Sequence, residues 1–575
     1  MGYRETSAKW LNHDGLALEL KKELELVKDN EEEIRDRFYK NLEFGTGGLR
    51  GVIGAGTNRM NVYVVRKATQ GLANYLKSHG DVNNGVVIAY DSRHKSREFA
   101  KEAALVLAKN QIKAHVFKEI TPTPILSFAV RELGAIAGIV ITASHNPKEY
   151  NGYKVYGSDG GQITDNLANA ITEEINKVKD ELAVNVMDEE AAVQTGYLNW
   201  LDEEVLNSYI EKTKELILRA DVIDETAHNF SIVYTPLHGT GYIPVTRVLK
   251  EAGFKNVTVV PEQALPDPDF STVKYPNPEE HKAFDLALQL AQKVDADIVM
   301  GTDPDADRVG VVVKDDKGKY IVLTGNQLGA LLIDYILQMR QYHQNIPDNA
   351  VIVKTIVTSS MGVNIAEKFG VRYIDVLTGF KYIGEKIEES HKKQTHTFLF
   401  GYEESYGYLI GDYVRDKDAV QACLVTAEMA AYYKTKGMTL YDRLQQLFQE
   451  YGYYREDLIS FNLTGIEGQE RIRRILEAFR NNGIPGVNNK ISIVRDYLKG
   501  QEVNLISGET KATDLPKSNV IHYTLEDGSW FCIRPSGTEP KLKIYFSVKG
   551  QSASEAEVKL AQLKKVVVEA IERME

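Results

Sequence analysis

The chain has almost no cysteine. Among its 575 residues only Cys423 and Cys532 carry thiols, far apart and without metal-type spacing, so a disulfide scaffold and a thiolate metal centre are both excluded. Long apolar runs are missing as well. Nothing approaches the length of a membrane span, and Met1 to Trp10 lacks the basic-then-apolar profile of a secretory leader, so no membrane contact and a cytoplasmic location are expected. Positive charge is in deficit. A formal net charge of -12 argues against a nucleic-acid partner. What is present is ordinary globular sequence, 43% hydrophobic, enough at roughly 100 to 200 residues per domain to give three to five domains a core each.

Local charge qualifies the acidic total. Acid groups concentrate in residues 16–42, read as solvated helix around Glu31-Glu32-Glu33, whereas Arg50, Arg93, Lys154, Arg308, Lys381, Arg415 and Arg534 fall among Gly, Ser, Thr and Asp at the ends of apolar runs. One theme repeats three times along the chain. Strand-like residues 86–90 lead to Asp91-Ser92-Arg93, a helix follows near 97–109, and 136–141 ends at Thr142-Ala143-Ser144-His145-Asn146-Pro147. In the second unit 231–234 ends at Thr235-Pro236-Leu237-His238-Gly239-Thr240-Gly241, and 296–300 ends at an acidic loop. In the third, 351–354 opens a unit whose strand 397–400 ends at Gly401-Tyr402-Glu403-Glu404-Ser405. Strands alternating with helices predict mixed, largely parallel α/β sheets, and from about Tyr451 the pattern changes to an α+β domain with helices near 468–480 and 554–573.

Ser144 stands just past a strand end, where α/β proteins open onto their ligand crevice, and His145 beside it suits nucleophilic chemistry. A turn serine bonded to its own backbone is the ordinary alternative for so short a motif. The whole string GIVITASHNPKEYNGYKVY, through Asn151, Gly152, Tyr153 and Lys154, resembles the phosphoserine loop of the α-D-phosphohexomutase superfamily, which includes the phosphoglucomutases and phosphomannomutases. The resemblance covers nearly all of the chain from about Asn41. It implies four domains around a central cleft: three similar mixed α/β domains, 41–215, 216–324 and 325–450, then a C-terminal α+β domain, 451–575, with a helical extension over 1–40. It also implies that Ser144 carries a phosphoryl group.

Gly301-Thr302-Asp303-Pro304-Asp305-Ala306-Asp307-Arg308 places three carboxylates at alternate positions after a buried strand, a donor set for a hard divalent cation. An EF-hand is excluded, since Arg308 and Lys314 stand where its Gly and Glu belong. A haloacid-type phosphatase fits poorly, because Arg308-Val309 follow where that class needs a threonine. The resemblance assigns one Mg2+ per chain to Asp303, Asp305, Asp307 and the phosphate on Ser144.

Three further loops complete the expected site. Glu403 and Ser405 can accept from and donate to adjacent sugar hydroxyls; the Glu-Glu-Ser form looks like that of phosphoglucomutases, and Thr378-Gly379-Phe380-Lys381 resembles its companion loop. Arg534-Pro535-Ser536-Gly537-Thr538-Glu539-Pro540 offers a guanidinium fork, hydroxyls and approachable backbone N–H groups, and resembles the family's phosphate-binding loop, so Arg534, Ser536, Gly537 and Thr538 are expected to bind phosphate. Phe44-Gly45-Thr46-Gly47-Gly48-Leu49-Arg50-Gly51 is neither a Walker A loop nor a dinucleotide fingerprint, because no Gly-Lys-Ser/Thr follows and Arg50 replaces the last glycine. It resembles the family's N-terminal active-site loop, with Arg50 facing the phosphoryl group, and Arg415 and Lys417 join the expected substrate contacts.

The implied chemistry is a reversible relay: phospho-Ser144 converts glucose 1-phosphate or glucose 6-phosphate to glucose 1,6-bisphosphate, which turns over and returns its other phosphoryl group. Lys154, His145 and Lys381 are the candidate general bases, Lys154 favoured by family position, although a lysine base needs a lowered pKa. Glucose 1,6-bisphosphate is expected as activator, a sugar phosphate as partner, and the chain as a monomer. Phosphopentomutase or phosphomannomutase activity is the alternative within the scaffold, and a silent sugar-phosphate sensor the alternative outside catalysis.

Overall fold

The computed structural model describes residues 2–45, 47–463, 465–482, 490–536 and 541–574. Four sheets follow one another along the chain. In the first, Ala137–Ile141, Val86–Tyr90, Ala114–Phe117 and Leu198–Leu201 run parallel, while Tyr150–Gly157 and Gly48–Val52 return antiparallel at one edge. Val86–Tyr90 and Ala137–Ile141 are buried at every position, the mark of parallel strands covered on both faces, which is why they read as unbroken β-branched runs.

The second and third sheets repeat this plan in fewer strands. Ser231–Thr235 lies between its parallel neighbours Asn256–Val259 and Ile298–Thr302, and the latter turns back as antiparallel Val309–Lys314. Ala350–Thr355 lies between parallel Arg372–Val376 and Thr397–Glu403, and the latter turns back as Gly407–Leu409. In all three sheets one parallel strand ends in a turn to an antiparallel strand, and those turns are 142–149, 303–308 and 404–406. The repeated topology therefore delivers one site loop per sheet.

The fourth sheet has seven antiparallel strands from Tyr453–Asn462 to Lys541–Gly550. Strict alternation along Trp530–Pro535 gives it two apolar faces: Phe531 and Ile533 pack with Ile475, Leu476 and Phe479 of the helix Gly465–Asn482 and with Val567 of Ala553–Glu572, whereas Trp530 and Cys532 pack on Ile356, Val357 and Leu377 of the third unit. Both cysteines are buried and unbridged.

Two expectations are adjusted. Residues 16–42 form two helices, Leu18–Val27 and Glu31–Phe38, interrupted where Asn30 caps the second by accepting from Glu33 N–H. The N-terminal helices are also more than a solvated extension, since Trp10, Leu20, Leu24, Ile34 and Phe38 are buried in one cluster with Val65, Leu72 and Ile88 of the first sheet unit. Among the described residues no helix is long and apolar enough to cross a membrane.

Candidate active site

Ser144 sits in the turn after Ala137–Ile141 with φ +52°, a left-handed conformation that costs a non-glycine residue about 1–2 kcal/mol. The surrounding groups hold it there. Its N–H donates to Thr142 Oγ1 (2.8 Å), and the Arg93 guanidinium, wholly buried, donates to three carbonyls of the loop and to the first of the next strand: Ser144 and Asn146 at 2.5 Å, Pro147 at 2.8 Å and Tyr150 at 3.2 Å. Gly152 is needed across the turn, because a Cβ there would lie 2.5 Å from Thr142 O. The hydroxyl of Ser144 donates to Asp303 Oδ2 at 2.8 Å and lies 3.1 Å from His145 Nδ1. Burial, followed by the charges of Arg308 and Arg50, holds the His145 pKa well below its ordinary value, so the ring is neutral.

The aspartate loop is built around its own first carboxylate. Asp303 Oδ1 accepts from the backbone N–H groups of Asp307 and Arg308, both at 3.1 Å, and Gly239 leaves room for Pro304, whose Cα would meet a Cβ at 2.4 Å. Asp303, Asp305 and Asp307 are buried, with ligand atoms within 4.8 Å of one another. Asp305 Oδ1 and Asp307 Oδ1 are buried without a hydrogen-bond partner. Burial and then the charges of Asp305 and Asp307 push the Asp303 carboxyl well above its ordinary range; burial also raises that of Asp305, but the Lys154 ammonium, a hydrogen bond with Asp303 and the charge of Lys417 together outweigh it and lower the Asp305 carboxyl. Crowded hard oxygens, two of them orphaned, fit a magnesium ion.

Lys154 Nζ lies 2.9 Å from Asp305 Oδ2 and 3.6 Å from Asp307 Oδ2. Burial alone would lower its pKa, but these two carboxylates more than offset that and raise it, so the group expected as a base is held as an ammonium. Lys417, expected among the substrate contacts, likewise reaches Asp307 (3.0 Å) and belongs to the same charge cluster. Arg415, also expected among the substrate contacts, faces inward. Its side chain is entirely buried and pairs with Glu388 at 3.3 Å, while its backbone N–H donates to Ser127 Oγ of the first unit, so it presents nothing to a ligand. The run 415–418 instead joins the units: Asp416 accepts from Tyr156 OH, and Asp418 caps Ala419–Thr435 and accepts from Tyr209 OH.

The other expected residues are spread over several strands and loops. Arg50 pairs across the strands with Gly152 and donates to Asn146 Oδ1 of the serine loop at 3.2 Å. Glu403 is buried at the end of its strand and accepts from Gly379 N–H (3.0 Å); burial pushes its carboxyl up to about 7, against the pull of Lys417. Thr378 Oγ1 beside it is buried without a hydrogen-bond partner, and Ser405 is half-buried in the next turn, which is tied to the aspartate loop by Val309 N–H donating to Tyr406 O. Lys381 donates to Asp165 (2.7 Å) and lines a cavity of about 400 Å³ with Gln162 and Glu385 between the first and third units. Arg534 and Ser536 lie at the end of Trp530–Pro535, and Gly537 and Thr538 fall outside the described residues.

Two contributors were not singled out as ligand or scaffold by sequence. Lys543 stands directly across from Arg534 in the antiparallel pair, and burial, then Arg534, lowers its pKa. Like charges opposed in this way repel, so the pair is suited to an anion. The alternation Lys541-Leu542-Lys543 was the available signal. Arg93 was noted only as a cation, and nothing local marks it as the holder of the serine loop.

The matches to known proteins are consistent along the chain. Models of the phosphoglucomutase/phosphomannomutase family match in order: α/β/α domain I over 41–182, II over 207–318, III over 324–451 and the C-terminal domain over 487–565. A Staphylococcus haemolyticus phosphoglucomutase is 41% identical over 513 residues, 89% of this chain and 91% of its own, and a Staphylococcus aureus phosphoglucomutase is 39% identical over 518 residues, 90% and 91%. Among solved structures, the open form of parafusin, a Paramecium phosphoglucomutase, superposes with a TM-score of 0.69 at 19% identity, over 93% of this chain and 95% of that one.

Proposed function

Since the chain belongs to the phosphoglucomutase/phosphomannomutase family, we propose that it interconverts glucose 1-phosphate and glucose 6-phosphate through a phosphoryl group carried on Ser144. The enzyme is a phosphohexomutase, an isomerase of a magnesium-dependent family. The observation that carries the reading is the Ser144 hydroxyl 2.8 Å from Asp303, at the lip of a buried triad with orphaned oxygens. Asp303, Asp305 and Asp307 would hold magnesium, which supplies charge neutralisation for phosphoryl transfer when bound.

The side chains divide the remaining work. Lys154, held charged, is suited to neutralising the transferring phosphoryl group, as is Arg50, bonded to Asn146 of the serine loop. His145, kept neutral, lies 3.1 Å from Ser144 Oγ, beside the Asp303 oxygen that accepts from that hydroxyl, and is a candidate base; Lys154 can serve as base only if its carboxylate partners are drawn off it. Glu403, with Thr378, Gly379 and Ser405 around it, would read sugar hydroxyls, and Arg534, Ser536, Gly537 and Thr538 would hold the phosphate that is not reacting. Domain limits of 41–215, 216–324, 325–450 and 451–575 each enclose one sheet. Glucose 1,6-bisphosphate would restore enzyme that has lost its phosphoryl group, and the molecule would act as a monomer in the cytoplasm. A coupled assay for glucose 6-phosphate tests the activity: the wild-type chain should turn over glucose 1-phosphate when magnesium and a trace of bisphosphate are present. Turnover of deoxyribose 1-phosphate alone would overturn the hexose assignment.

A further inference from the structure

Residues 265–280 of the second unit contain no strand or α-helix, yet they are pinned at both ends and in the middle. His238 contacts Leu265 O (3.2 Å) and Thr272 Oγ1 (2.8 Å), Glu279 pairs with Arg308 of the aspartate loop, and Asp269 pairs with Lys148 (3.1 Å) and His94 (3.2 Å) of the first unit. Between these anchors Phe270 is driven into the first unit. It is 1% exposed, adopts φ +48°, and its ring centroid lies 4.9 Å from the Arg93 guanidinium carbon. Asp91 supports the same guanidinium at 3.2 Å and is itself fixed by accepting from Ser96 Oγ (2.6 Å) and Arg93 N–H (3.0 Å). Arg93 is thus stacked from one domain while its N–H groups hold four carbonyls, three of the serine loop and the first of the next strand, in another.

We propose that Arg93 is a positioning residue for phosphoryl transfer at Ser144, and that the segment 265–280 acts on the serine through the Phe270 ring, so that docking of the second domain sets the serine loop. The proposal rests on Ser144 being the phosphoryl carrier. A buried cation–ring contact fixes where the guanidinium plane lies, and the four carbonyl bonds transmit that placement to a residue in a strained backbone conformation. The contact makes no use of the sugar, so its loss should appear in the transfer step and leave sugar affinity alone.

The test uses the full-length, magnesium-loaded protein, its Ser144 first freed of phosphate, mixed with glucose 1,6-bisphosphate labelled in its phosphoryl groups, and times the labelling of Ser144. Phe270→Leu should slow labelling about 10-fold and Arg93→Lys about 100-fold, with KM for glucose 1-phosphate and the thermal midpoint of Phe270→Leu little changed. Phe270→Tyr, which keeps the ring, should stay within about twofold of wild type. Because the ring acts through the guanidinium, the double variant should label no more slowly than Arg93→Lys alone. Wild-type labelling rates in Phe270→Leu, equal slowing by Leu and Tyr, or multiplying effects in the double variant would each overturn the proposal. If the wild-type protein itself takes no label on Ser144, the fault lies with the phosphoserine reading instead; Phe270→Leu stands as the test even where Arg93→Lys does not fold.

Discussion

The serine loop and the aspartate loop occupy the same place in two similarly wound sheets, yet they are held by opposite means. Residues 142–149 are gripped from outside: a guanidinium from a different loop collects the carbonyls, and a ring from another domain rests on that guanidinium. Residues 303–308 are gripped from inside, by the Asp303 carboxylate accepting two N–H groups of its own turn. The serine loop brings a neutral hydroxyl to a fixed point, and its own charged residues, Lys148 and Glu149, lie away from that hydroxyl at the end of the turn, with Lys148 paired to Asp269. A loop of three carboxylates organises itself but accumulates repulsion, which a cation and the Lys154 and Lys417 ammonium groups relieve.

The contrast can be broken most severely at the hydroxyl. Ser144→Ala should remove the phosphoenzyme and reduce turnover by orders of magnitude with the fold retained, since the β-carbon stays and only the hydroxyl contacts to Asp303 and His145 are lost; full activity in that variant would end the relay. Next in size is the aspartate loop. Excess chelator should stop turnover and magnesium should restore it, and Asp305→Asn should weaken magnesium binding with no rescue by added sugar, checked by titration calorimetry. Unchanged turnover in chelator would show that the two ammonium groups suffice. At the far side of the site, Arg534→Ala should weaken glucose 1-phosphate and glucose 6-phosphate alike, by about 10- to 100-fold and more than Ser536→Ala does, because a bidentate charged contact is lost. An effect on one monophosphate only would mean that the loop serves a single orientation of the sugar.

A buried carboxyl outside the triad should respond more mildly. Glu456, in the first strand of the fourth sheet, has Oε1 buried without a partner, and burial pushes its carboxyl up to about 7 against a hydrogen bond from Ser359. The folded pKa is above the unfolded one, so its contribution to stability is fully present below the unfolded value of about 4.3 and is lost as pH rises towards 7. Glu456→Gln should therefore flatten the fall in thermal midpoint between pH 5 and 8, by on the order of 1 kcal/mol. An unchanged slope would place the carboxyl in water.

Much of the site was legible because its loops follow unbroken apolar strands: Ile139-Val140-Ile141 announces Ser144, and Ile298-Val299-Met300 announces the aspartates. Charge was less legible. Arg50, Arg93, Arg415 and Arg534 look alike in sequence, but Arg93 serves carbonyls, Arg415 is buried against Glu388, and only partners distant in the chain separate these fates. The ionisation of Lys154 was not legible, because the carboxylates that set it belong to another domain. The N-terminal helices were seen as helices but not as part of a core, since their acidic faces hide the Trp10, Leu20 and Leu24 stripe that docks.

The apolar interior is divided unequally. One continuous cluster runs through residues of the first three units, from Phe128 and Tyr209 through Ile232 and Val311 to Leu331 and Phe400, whereas the fourth sheet has its own cluster and meets the third unit through a patch that includes Trp530, Tyr545 and Ile356. Cooperative melting follows shared interiors, so heat or denaturant should release this molecule in two stages, the C-terminal unit before the rest. The enzyme would then fail in a definite order: its hold on the idle end of the sugar phosphate goes with Arg534 and Lys543, while serine, histidine and aspartates remain assembled, leaving a catalyst that has lost its grip before its chemistry.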